Sequence, residues 1–150
     1  MGKNMDVTSV PVDNLTIVLT QILEFTHRRH QILSRNLFDF HKEGFVPTDL
    51  PLNEFTNCMT IAVSEHLNRD RLLFQDTNHV RFTTDGLFET DPIVDEHGLQ
   101  LLKEDVSRYL RLQMKKLTEN KSNIQIARQL LTRKKERSTL KSENTANKSN

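Results

Sequence analysis

The chain has 150 residues, of which 35% are apolar and 27% charged, with eight Phe, one Tyr and no Trp. Globular domains usually carry about 45–50% apolar residues, so the length and composition fit one thin domain and exclude a large layered core around a deep pocket. The formal charge is only +1, but residues 132–150 hold a net +4 and leave −3 for the rest. The basic character therefore belongs to a tail without aromatics, unlike the basic, aromatic-bearing face expected of a nucleic-acid reader.

Residues 1–12 mix polar residues with Pro11, lack periodicity and are expected to form a disordered lead. They contain no apolar run of the kind that precedes a secretory cleavage site, and no segment approaches the roughly 18 apolar residues of a membrane span. Asp13 is a helix N-cap residue. From Asn14 to Asn36 the apolar positions Leu15, Val18, Leu19, Ile22, Phe25, Ile32 and Leu33 follow helical spacing, which predicts an amphipathic helix over 13–36. Gly44, Pro47 and Pro51 then break the pattern. Residues 37–98 read as a loop-rich middle, with Leu50, Leu52 and Phe55 folding back on the first helix and a short helix over 54–68. That helix places Phe55, Met59, Ala62, Val63 and Leu67 on one side. Asp85-Gly86 is a turn signal between weak strand segments at 79–83 and 93–94.

A stretch free of Gly and Pro predicts a C-terminal helix over 99–135, roughly 55 Å long. Its stripe ends in Leu117, Ile124 and Leu131 at heptad spacing, with Asn120 as a polar inward position that fixes register in coiled coils. Residues 136–150 are expected to be a disordered polar tail. The fold expected is mainly α: two long terminal helices packed as an antiparallel hairpin or coiled coil around a loop-rich middle, in a single domain over 13–135. One helix pair cannot cover both stripes, which favours assembly with copies of itself or with related chains.

No catalytic constellation emerges, and the chain reads as a non-enzyme that needs no cofactor. The four glycines stand far apart, without a phosphate-cradling cluster. Cys58, the only cysteine, sits in CMTIAV and reads as a small core residue. His27 and His30 share a helix face but lack a third ligand at helical spacing, so they read as a solvated cationic face and no metal site is expected. Asp95, Glu96, Glu104 and Asp105 read as charged surface near a helix start, where they suit the macrodipole.

Two terminal stretches carry a family resemblance. RRHQILSRNLFDFHKEGFVPTDLPLNEF, Arg28 to Phe55, resembles the N-terminal signature of bacterial flagellar basal-body rod proteins, with Leu33, Asn36, Leu37, Gly44, Phe45 and Asp49 at the pattern's spacing. QMKKLTENKSNIQIARQLLTRK, Gln113 to Lys134, is similar to the terminal helix of the proximal rod protein (FlgB) family through Gln113, Met114, Leu117, Glu119, Asn120, Leu130, Leu131 and Lys134. The chain departs from the family at Phe38, Asp39, Phe40, Lys42 and Glu43. The resemblance implies a structural rod subunit, exported through the flagellar type III apparatus without a cleavable signal and placed in the periplasmic rod. The partners implied are copies of itself, other rod and ring proteins, and the export apparatus. Leu15, Leu19, Ile22, Leu33, Leu117, Ile124 and Leu131 are then the packing stripe, and Asn36, Gly44 and Asn120 the turn and register determinants. The alternatives are a stand-alone helical-hairpin adaptor for a partner helix and a basic-tailed nucleic-acid-binding protein.

Overall fold

The computed structural model describes residues 13–148, and the expected N-terminal lead lies outside them. The described chain is mainly helical, with short antiparallel strands between its helices. Helix α1 spans Asn14–Phe38. It begins where expected because the Asp13 carboxylate accepts from the Thr16 amide at 2.8 Å, satisfying one of the free amides of a helix start. It runs two residues past Asn36, until Asp39 caps it by donating its amide to Arg35 O at 2.8 Å. The chain then turns through Gly44, whose φ of +78° lies in the left-handed region that favours glycine.

The middle is more ordered than its composition suggests. Strand β1 (Thr48–Asp49) leads through Pro51 into helix α2 (Leu52–Arg69), which is longer than the expected 54–68 and ends at Asp70 with a φ of +50°. Strands β2 (Val80–Phe82) and β3 (Phe88–Thr90) form a hairpin in the register Val80↔Thr90 and Phe82↔Phe88. Its turn contains Asp85-Gly86, with φ +81° at Gly86. Strand β4 (Ile93–Val94) pairs antiparallel with β1, and Asp95 donates its amide to Pro47 O at 3.0 Å.

Two departures concern the C-terminal half. The single helix expected over 99–135 is interrupted: α3 covers Glu96–Glu104 and α4 covers Val106–Lys148, with extended backbone at Asp105 between them. The Asp105 carboxylate accepts from the Arg108 amide at 3.2 Å, so a capping side chain stops one helix and starts the next without Gly or Pro. The tail expected to lack structure is helical through Lys148. Once a helix is nucleated and held by packing, adding residues without Gly or Pro costs little. Thr139 and Thr145 donate their hydroxyls to the carbonyls one turn back.

The main hydrophobic core lies between α1, α2 and the β2–β3 hairpin. The Phe25 and Phe55 rings stack with centroids 4.0 Å apart, and Phe88 tilts against both. Val18, Ile32, Leu50, Cys58, Met59, Ala62 and Val80 complete the cluster, and each large side chain fully buried here stabilises by about 1.5–3 kcal/mol. Leu50 and Phe55 thus fold back as expected, whereas Leu67, expected on the packed side of α2, is exposed. Cys58 is a buried core residue whose thiol donates to Gln75 O; burial, then the nearby Glu54 charge, pushes its pKa up.

Candidate functional site

The residues expected to set register lie where α1 meets α4. Asn36, two residues before the end of α1, is buried. Its Nδ2 donates to Thr48 O at 2.8 Å and to Gln113 Oε1 at 3.0 Å, and its Oδ1 accepts from the Thr48 amide. Its backbone carbonyl accepts from the Tyr109 hydroxyl at 2.7 Å. One side chain thereby ties α1 to β1 and α4. The Tyr109 pKa is pushed up to about 12 by burial and then by the charge of Asp95, so the phenol remains a donor at neutral pH.

From Gln113 the network continues into buried charge. Gln113 Nε2 donates to Asp95 Oδ2 at 3.2 Å, and Lys116 Nζ reaches Asp95 at 2.9 Å and Asp49 at 3.4 Å. Asp49 is gripped on its other side by Arg29, whose Nε and Nη2 donate to the two carboxylate oxygens at 2.8 and 2.9 Å. This is the planar bidentate pairing for which Arg is suited. Arg29, Lys116, Asp49 and Asp95 make a neutral quartet joining α1, β1, the start of α3 and α4. Burial of a charge is tolerable only with such pairing. Burial alone raises the Asp95 pKa, but the Gly98 amide, Lys116 and Gln113 outweigh it and hold the carboxyl below its ordinary value.

Asp95 is also the N-cap of α3, accepting from the Gly98 amide at 2.9 Å. A Cβ on Gly98 would come within 2.5 Å of Asp95 Oδ2 and 3.1 Å of Gln113 Nε2, so the close approach itself requires glycine there. Farther along α4, the buried Asn120 donates to Thr26 O at 2.8 Å, while its Oδ1 is buried without a partner among the described residues.

The expected packing residues divide into two groups. Leu33 and Ile124 are buried, as are Asn36 and Asn120. Leu15, Leu19, Ile22, Leu117 and Leu131 are only half-buried, and Gly44 is exposed, serving its turn through backbone conformation. The reason is geometric: α1 spends Val18, Phe25 and Ile32 on the core shared with α2 and the hairpin. Its next positions, Leu15, Leu19 and Ile22, then fall at the edge of an open groove with Val63 and Leu130. Asn36 and Asn120 serve the same interface but bond different partners.

Several network members escaped the reading of the sequence. Arg29, Asp49, Asp95 and Lys116 sit among many similar charges, and of the network's residues only Asn36, Asp49 and Gln113 carried a motif signal. The basic tail cluster is partly structural, since Lys134 Nζ pairs with Asp13 Oδ2 at 2.7 Å. Among the described residues, no three His, Cys, Asp or Glu side chains are placed to hold a metal ion, and no helix is long and apolar enough to cross a membrane. The arrangement as a whole fixes register and leaves apolar surface open. Compared with known proteins, the chain finds no match to a family model, a curated protein or a solved structure.

Proposed function

We propose that the chain is a structural subunit of the bacterial flagellar basal-body rod, of the proximal rod protein type, which assembles through its terminal helices with copies of itself and with other rod and ring proteins. The observation that carries this reading is an open apolar groove of about 460 Å³ between α1, α2 and α4, lined by Leu19, Ile22, Met59, Val63, Ile126 and Leu130. Ile126 and Leu130 are 50% and 41% exposed. Apolar surface left open in a contiguous strip marks a binding face.

A second apolar strip supports an assembly that continues. Val106 and Met114 are exposed and Leu110 and Leu117 half-buried. At 100° per residue these four positions lie about half a turn around α4 from Ile126 and Leu130. Faces so separated meet different neighbours, and a heterologous contact of that kind propagates as an open series.

In this reading α1 and α4 form the antiparallel hairpin of a rod subunit. The order of their contacts supports it: Asn36 meets Tyr109 and Gln113, Thr26 meets Asn120, and Asp13 meets Lys134. The role is structural, without a reaction, and the subunit reaches the periplasmic rod through the flagellar export apparatus without a cleavable signal.

Deleting the gene in its own host and complementing it tests the proposal. The deletion should abolish swimming, the unaltered gene should restore it, and Leu130→Asp should not. A deletion strain that swims normally would overturn the rod reading in favour of a helical-hairpin adaptor whose groove takes one partner helix.

A further inference from the structure

His27 and His30, one turn apart on α1, face Lys121, Gln125 and Arg128, which share one face of α4. Together with Ile124 they line a small cavity of about 210 Å³. His27 Nε2 lies 3.2 Å from Arg128 Nη2; as guanidinium only donates, the imidazole nitrogen is the acceptor. His30 Nδ1 is buried with no partner among the described residues. Among the described residues no carboxylate lines the cavity. Lys121 and Arg128 would repel a metal ion from the two imidazoles, and the same two cations favour the opposite charge.

We infer that this cavity is a binding site for a tetrahedral oxyanion, as inorganic phosphate or as the phosphate group of a larger molecule. The Arg128 donors that no described residue engages, the ammonium of Lys121 and the Gln125 amide supply charge-assisted and neutral hydrogen bonds, the mixture that recognises phosphate. One water needs about 10–15 Å³ of such cavity volume, so the space admits one such anion together with waters. Lys121, Gln125 and Arg128 lie about half a turn around α4 from Ile126 and Leu130. The site therefore lies apart from the apolar groove, on the face of α4 that carries the second apolar strip and one turn beyond Leu117.

The test is a nuclear magnetic resonance titration of the full-length protein with inorganic phosphate, with sodium chloride adjusted to hold ionic strength constant. The His27 and His30 ring resonances should shift saturably while those of His79 and His97 do not. Arg128→Gln should weaken binding by roughly tenfold or more, as expected on losing a charged hydrogen-bond partner, and Lys121→Gln should weaken it less. Both side chains are exposed, and an unchanged circular dichroism spectrum checks that the fold is retained. Phenyl phosphate binding more tightly than inorganic phosphate points to a phosphate group on a larger molecule; equal binding points to the free ion. Shifts reproduced by chloride alone, acetate binding as tightly as phosphate, or unchanged affinity in the Lys121→Gln/Arg128→Gln double variant would each overturn the assignment.

Discussion

The two ends of the α1–α4 contact are built on opposite principles. Around Asn36, Tyr109, Gln113 and the Arg29–Asp49–Lys116–Asp95 quartet, polar groups close on one another within the chain. Around Leu15, Leu19, Ile22, Ile126 and Leu130, apolar side chains line an open groove. The closed end is directional and tolerates few alternatives, because each buried donor or charge needs its own partner. The open end is non-directional and gains stability only when something covers it. In the proposed rod role, helices that must present a defined face to neighbours need both: a seam that fixes how the helices lie, and a surface left for another molecule.

Breaking the closed end should have the largest effect on the isolated fold. Asp49→Ala leaves Arg29, whose side chain is only 5% exposed, without its bidentate partner. The expected loss is about 3–5 kcal/mol, measured by urea unfolding followed by circular dichroism. A loss under about 1 kcal/mol would mean that the quartet is not what holds the seam.

Acid should weaken the same end by a smaller amount. The Asp95 carboxyl sits below its ordinary value of 3.8 in the folded protein, so the unfolded chain takes up this proton first. Its stabilising contribution is present above that value and is lost as pH falls through the lower folded value. Urea midpoints measured from pH 6 downward should therefore fall most steeply below about pH 4, and Asp95→Asn should flatten that decline. An equally steep decline in the variant would assign the acid sensitivity to other carboxylates.

The sequence was legible where one local signal decided the structure. Asp13 as a cap, the α1 periodicity, α2 and the Asp85-Gly86 turn all follow from nearest-neighbour chemistry; β2 and β4 lie at the weak segments 79–83 and 93–94, whereas β3 at Phe88–Thr90 was not anticipated. Asp105 carried a local signal as well, but in a stretch free of Gly and Pro its capping role was outweighed by unbroken helical periodicity. The helical tail was hidden for a different reason: composition registers its lack of apolar residues, not that α4 is already nucleated upstream. The quartet was illegible because Arg29 and Asp49 are 20 residues apart and Lys116 is 67 from Asp49; only folding brings them together. The stripe residues were identified as apolar helix faces, yet spacing alone could not say that Val18 and Phe25 would meet α2 while Leu19 and Ile22 stayed at an open edge.

The central claim is that the open groove is an assembly face while the polar seam belongs to the subunit itself. Sedimentation velocity of the purified full-length chain across a concentration series tests it most directly, alongside an Ile126→Asp/Leu130→Asp double variant. The account predicts larger species that grow with concentration for the unaltered chain, and a single monomer-sized species for the variant with unchanged helicity. An unaltered chain that stays monomeric at every concentration, or a variant that associates as strongly, would contradict it.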